Sequence, residues 1–448
     1  MAGVFYLKES HKMKTAQAPL KPSFIQFFIY WLKLGFISFG GPAGQISMMH
    51  QELVEKRRWI SEHRFLHALN YTMILPGPEA QQLATYIGWL MFGVRGGIVA
   101  GVLFVLPSLF ILSTLTWIYL SYGNVSAVAG VLYGIKPAVT AIVLFAAYRI
   151  GSRALSNNIL KVLAVLAFVA IFVLKVPFPY IVLSAALIGY MGAKFLPDTF
   201  KVGKHHDKDK SSYGPALIDD NTPVPEHAKF KLSRLIGFAV VGVVLGIAVM
   251  NFLDNKVLHD MAEFFTKAAL VTFGGAYAVL PYIYQGGVEQ YGWLSSVQMM
   301  DGLALGETTP GPLIMVVAFV GFVGATVKEV FGTDSMLMAG FAGASVATFF
   351  TFLPSFLFIF LGGSGVEATR GDLKFSAPLS AVTAAVVGVI VNLALFFALA
   401  TLYKNNQIDW IATAITITAF IALFRFKVGI MSVIFLSGAI GLSIGYFG

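Results

Sequence analysis

The chain has 448 residues, of which 57% are hydrophobic and only 12% charged, with a mean hydropathy of +0.78. That balance excludes an ordinary soluble domain, and the absence of cysteine excludes disulfides, thiolate metal sites and thiol redox chemistry. The formal charge of +9 is scattered over short loops, which fits a positive-inside topology bias and not a nucleic-acid surface.

In chain order, Met1–Lys21 is polar and basic and lacks the apolar core of a secretory leader. A first apolar segment at 24–49 is interrupted by Phe39-Gly40-Gly41-Pro42. A basic loop with Lys56, Arg57, Arg58 and Arg64 follows, flanked by His50, His63 and His67 at spacings that suit no metal. A second interrupted segment, 65–90, carries Pro76-Gly77-Pro78, and spans at 97–120, 127–148, 159–175 and 178–196 come next. A polar stretch with Lys-His-His-Asp-Lys-Asp-Lys (204–210) and several prolines reads as a solvated linker. Beyond it lie a span at 235–253, interrupted segments at 261–284 and 300–325, and spans at 336–361, 376–403, 408–424 and 428–447. About thirteen segments are thus long and apolar enough for a hydrocarbon core, which predicts an all-α polytopic protein of the cytoplasmic membrane. No Gly-x-x-x-x-Gly-Lys-Ser/Thr loop occurs, so transport by this chain would be secondary or passive.

Four of these segments are related in pairs. At one fixed offset, Lys33, Ser38, Phe39-Gly40-Gly41, Glu55, Trp59, Ser61 and Pro76-Gly77-Pro78 return as Lys267, Thr272, Phe273-Gly274-Gly275, Glu289, Trp293, Ser295 and Pro310-Gly311-Pro312. Further on, and only after an insertion, Leu106-Pro107-Ser108 matches Leu353-Pro354-Ser355. The expected organisation is a cytoplasmic tail (1–23), a first membrane repeat (24–196), a cytoplasmic linker (197–234) and a second repeat with one added leading span (235–448). An odd number of segments precedes the second repeat, so the repeats should be inverted, with the C-terminus opposite the cytoplasmic N-terminus. Placing the basic loop in the cytoplasm favours re-entrant hairpins over broken full crossings for the interrupted segments; both readings stay open.

Glycine and proline breaks at matched places are the best sequence pointer to a transporter's substrate site. Pro42, Pro78 and Pro312 can each open a half-helix, whose unpaired N–H groups and positive dipole end suit an anion. The predicted binding residues are Gly40, Gly41, Pro42, Gly77, Pro78, Gln81, Gln82, Gly274, Gly275, Gly311 and Pro312. Lys33 and Lys267 would offset the anion's charge, unless they snorkel to an interface. Ser38, Thr272, Thr308 and Thr309 are neutral donors that could instead bond their own helix backbones. Glu79 and Glu307 flank the two Pro-Gly-Pro turns, where a carboxyl that protonates as the anion arrives would couple transport to protons. Neither a cofactor nor a metal site is expected, and small-residue-rich helices permit a homodimer.

Together, Phe39-Gly40-Gly41-Pro42, Pro76-Gly77-Pro78-Glu79-Ala80-Gln81-Gln82, Leu106-Pro107-Ser108, Phe273-Gly274-Gly275 and Gly306-Glu307-Thr308-Thr309-Pro310-Gly311-Pro312 resemble the signatures of the chromate ion transporter family. The chain looks like a long, two-domain member. The resemblance implies chromate efflux and chromate resistance, with sulfate as the chemical look-alike, and no enzymatic role. One departure is Ala276 where repeat one has Pro42, so the two first-hairpin half-helices need not contribute equally.

Overall fold

The computed structural model describes residues 18–39, 41–123, 125–195, 213–273, 275–369, 376–404 and 407–447, and these are overwhelmingly helical. Repeat one holds α1 (Phe24–Ile37), α2 (Gly41–His50), α3 (Glu62–Ile74), α4 (Glu79–Tyr122), α5 (Ser126–Ala154), α6 (Asn158–Phe172) and α7 (Phe178–Phe195). Then come α8 (Leu232–Asn251), α9 (Lys256–Leu270), α10 (Ala276–Tyr284), α11 (Ser296–Thr308) and α12 (Val316–Val327). The chain ends with α13 (Met336–Thr369), α14 (Ser376–Leu402), α15 (Trp410–Phe424) and α16 (Ile430–Phe447). Six of the described helices are long and apolar enough to cross a membrane, and several shorter apolar ones accompany them. This is an all-α polytopic membrane protein.

The matched sequence builds matched backbone. Both α2 and α10 run into a π-helical turn, Gln51–Lys56 and Gln285–Gln290. The turns close alike: Arg57 N–H bonds Glu52 O at 2.9 Å and Tyr291 N–H bonds Gly286 O at 2.9 Å. Arg58 (φ 51°) and Gly292 (φ 57°) then reverse the chain. Trp59 packs on Tyr30 at 5.3 Å between centroids, and Trp293 on Phe264 at 5.4 Å. Ser61 and Ser295 cap α3 and α11 by accepting from the backbone amides of Arg64 and Gln298, satisfying one of the unpaired donors at each helix start.

Ring contacts show where the interrupted segments begin and end. The start of α1 touches the break inside α4: Phe24 and Phe27 lie 5.4 and 4.8 Å from Phe92, beside Gly93 (φ 65°). Phe27 also stacks near Trp59, in the loop before α3. The outer ends of both hairpins of repeat one therefore share one end of the molecule. In repeat two the Asn255 side chain, at the start of α9, donates to Val330 O just after α12 at 3.1 Å. Between Lys231 and Asn255 runs α8, 20 residues or about 30 Å, so the hairpin ends of repeat two lie far from those of repeat one.

Two local expectations change. The described part of the linker is docked rather than free in solvent: Leu217 and Ile218 amides bond Arg58 and Trp59 carbonyls at 2.9 and 3.0 Å, and His227 Nε2 meets Trp89 O at 2.7 Å. Apolar Ile218 is buried there, which a polar average over the whole stretch conceals. His205 and His206, and most of the 1–23 tail, lie outside the described residues. Arg64, counted above among loop charges, is buried on α3 and ion-paired with Glu367 of α13 at 2.7 Å.

Candidate functional site

The two repeats meet through their glycine breaks. The Gly77 amide donates to Thr272 O at 2.8 Å, and the Gly311 amide donates to Ser38 O at 2.9 Å. Each Pro-Gly-Pro turn is thus tied to the residue just before Phe-Gly-Gly in the opposite repeat. Gly77 (φ 120°) and Gly311 (φ 105°) occupy backbone conformations that side-chain-bearing residues rarely adopt. Neither has room for a side chain. A Cβ on Gly77 would lie 2.5 Å from Ser355 Oγ and 2.8 Å from Gln82 Nε2, and one on Gly311 would lie 2.9 Å from Ser108 Oγ. The Leu-Pro-Ser serine of each repeat therefore leans on the Pro-Gly-Pro turn of the other.

Two quasi-equivalent corners result. One is made of Ser38, Gln45, Ser108 and Gly311, and the other of Thr272, Gln82, Ser355 and Gly77. In the first, Gln45 Nε2 donates to Gly311 O at 2.6 Å and Ser38 O at 3.2 Å. In the second, Gln82 Nε2 donates to Pro76 O at 2.7 Å. Both corners hold unpaired polar atoms. Ser38 Oγ, Gln45 Oε1, Ser108 Oγ, Gln82 Oε1 and Ser355 Oγ are buried with no hydrogen-bond partner among the described residues, as is Gln81 Oε1 nearby. A buried polar group left unpaired costs about 1–3 kcal/mol, so such a cluster is suited to a polar guest.

A helix starts after each of the four glycine breaks, at Gly41, Glu79, Ala276 and, after a short 3₁₀ turn at Leu313–Met315, Val316. The Gly41 and Gly275 turns (φ 68° and 95°) differ from the other pair, since a Cβ there meets nothing within 4 Å. Gly41 and Gly275 border open space, whereas the Pro-Gly-Pro turns clamp the repeats together. Pro42 and Pro78 open α2 and α4 as expected, and Pro312 precedes the 3₁₀ turn. Gly40 and Gly274 lie outside the described residues.

Other predicted residues are distributed unevenly. Thr272, Thr308 and Thr309 hydroxyls donate to the carbonyls of Ala268, Leu305 and Gly306, their own helices. Gln81 Nε2 donates to Thr85 Oγ1 at 3.0 Å. Glu307 accepts from the Tyr277 hydroxyl at 2.5 Å, joining the two hairpins of repeat two, while half-buried Glu79 opens α4 with no side-chain partner among the described residues. Lys33 and Lys267 are exposed on α1 and α9, and Lys267 pairs with Glu263 one turn away. No ion pair links either lysine to a glycine turn among the described residues.

Sequence reasoning missed Gln45, for which repeat two has Val279 and so offers no matching signal. It also missed two buried clusters. Arg64 and the Tyr86 hydroxyl both engage Glu367, joining α3, α4 and α13. Asp301 of α11 takes the Tyr119 hydroxyl at 2.9 Å and Lys136 Nζ at 3.4 Å. Each couples a second hairpin to the long helix of the other repeat, and only its charge at membrane depth could have flagged it.

Apolar helices from two related halves, broken and tied together at a buried polar centre, define a polytopic membrane transport protein. More specifically, the chain belongs to the chromate transporter family, whose profile (Chromate transporter) matches residues 25–190 and 259–442. It is 28% identical to the chromate transport protein of Cupriavidus metallidurans over 403 residues, 90% of this chain and 88% of that one. It is 31% identical to the probable chromate transport protein of Synechococcus elongatus, covering 81% of each chain. An uncharacterized transporter of Methanocaldococcus jannaschii is 24% identical over 97% of this chain and 98% of its own. No solved structure matches the chain at a significant level.

Proposed function

We propose that the protein is a secondary transporter that exports chromate across the cytoplasmic membrane, confers chromate resistance and is coupled to protons. Family membership supports chromate as the substrate. The observation that carries the site is the reciprocal bond pair, Gly77 to Thr272 and Gly311 to Ser38, which gathers the breaks of both repeats around unpaired buried polar atoms. A tetrahedral dianion has four acceptor oxygens. It would take hydrogen bonds from the hydroxyls there and from the free amides that open α2, α4 and α10. The Gly77 and Gly311 amides are already bonded to carbonyls, so they hold the turns rather than the guest.

Glu79 and Glu307 flank the two Pro-Gly-Pro turns. An ionised carboxylate beside a dianion is repulsive, so the protonation state of these carboxyls and occupancy by the anion are linked, which couples anion movement to protons. The exposed lysines then act at a distance, raising the local anion concentration.

Chromate flux into inverted membrane vesicles, with and without an imposed pH gradient, tests the reading. The expected result is uphill accumulation that collapses when a protonophore is added. Flux indifferent to the gradient, with single-channel currents, would mean a passive anion channel. Labelled sulfate entering intact cells in place of chromate leaving them would mean the same site serves uptake.

A further inference from the structure

A buried hydroxyl on a membrane helix ordinarily bonds a carbonyl of its own preceding turn. Thr116, Thr272, Thr351 and Thr416 all do so here, to Leu112, Ala268, Ala347 and Ala412. Ser108 and Ser355 do not. Both are fully buried, both lack any hydrogen-bond partner among the described residues, and both follow a proline inside a long helix. Proline removes one backbone bond and distorts the turn around it. Their surroundings are equivalent as well, each oxygen lying against the glycine of the opposite repeat's Pro-Gly-Pro turn. Ser113 and Thr348 are also buried and unpaired, but Phe360 and Gly101 stand at their matching places, so neither forms such a pair.

We infer that Ser108 and Ser355 are direct substrate ligands, a related pair of hydroxyls donating to oxygens of the transported tetrahedral dianion from opposite repeats. This rests on the oxyanion transport proposed above and adds the residues that hold the ion. The glycines opposite them are required because a side chain there would fill the space the hydroxyls use. Two donors related by the repeat would keep one contact geometry when the halves exchange roles, as alternating access demands. A hydroxyl donating to an anion is a charge-assisted bond, stronger than one between neutral groups.

The test compares Ser108→Ala, Ser355→Ala, the double variant, and isosteric Ser108→Cys and Ser355→Cys, whose thiol is a weak donor. Chromate uptake kinetics in vesicles are read beside calorimetric binding of chromate and sulfate to the purified full chain. Each alanine variant is expected to raise KM and Kd about tenfold, and the double variant about a hundredfold, with Vmax within about twofold of wild type. The cysteine variants, which conserve packing, should show raised KM even where alanine lowers membrane expression. Thr351→Val, removing a hydroxyl already bonded to its own helix, should leave KM unchanged. Unaltered KM and Kd in folded cysteine or alanine variants would overturn the inference. Failure of the wild type to move or bind either oxyanion would instead overturn the proposed function, so the two are separable.

Discussion

The corner around Gly311 and the corner around Gly77 share a backbone plan and differ in their side chains. Both are closed by a glycine amide bonding a carbonyl of the other repeat, at 2.9 and 2.8 Å. The Gly311 corner has a free Ser38 hydroxyl and a glutamine, Gln45, that grips Ser38 O of its own repeat and Gly311 O across the interface. At the Gly77 corner the equivalent hydroxyl, Thr272, is spent on its own helix, and Gln82 grips a carbonyl of its own repeat. The carboxylates are unequal too, since Glu79 and Glu307 stand at non-equivalent positions. Duplicated backbone thus supplies the frame, and divergence has placed more free donors on one side.

The same contrast extends to the buried charge clusters, and its disruption should give the largest effects. Glu367→Ala strands Arg64, which is buried, and should cost about 3–5 kcal/mol in a thermal or denaturant melt. Lys136→Met should cost less, because Lys136 is 26% exposed and Asp301 keeps its Tyr119 bond. Equal losses would erase the difference between the two ends. Next come Gly77→Ala and Gly311→Ala, where a positive φ and a serine contact act together. Backbone strain of about 1–3 kcal/mol should abolish chromate resistance in cells at normal membrane levels of protein.

Smaller effects sharpen the comparison. Ser38→Ala should raise the KM for chromate about tenfold by removing a free donor. Thr272→Val, deleting a hydroxyl already back-bonded, should change it by less than about twofold. The reverse order would assign the free donor to the wrong corner. Smallest of all, Lys267→Met breaks an exposed pair with Glu263 and should cost under about 1 kcal/mol while flux survives. Abolished flux, with the protein still in the membrane, would return the lysines to the site.

Much of this arrangement could be read in the residues. Glycine and proline carry strong conformational constraints, so the turns at 41, 77, 275 and 311 announced themselves, as did the helix starts that follow. Repetition at a fixed offset then revealed which turns were partners. What stayed hidden depends on distance across the fold. Nothing in Leu-Pro-Ser says that its hydroxyl will rest on a glycine of the other repeat. Gln45 has no counterpart to mark it. Lys33 and Lys267 were conspicuous because they repeat, yet exposure is a property of helix rotation, which a repeat does not fix. Arg64 looked like a loop charge because its partner, Glu367, lies far along the chain.

The most direct measurement is a structure of the full-length protein with chromate bound, locating chromium by its anomalous signal. The expected position is between the two corners, with chromate oxygens about 3 Å from hydroxyls of Ser38, Ser108 or Ser355. Chromium found on the lipid-facing surface, or beside Lys33 and Lys267 away from the glycine turns, would contradict the account.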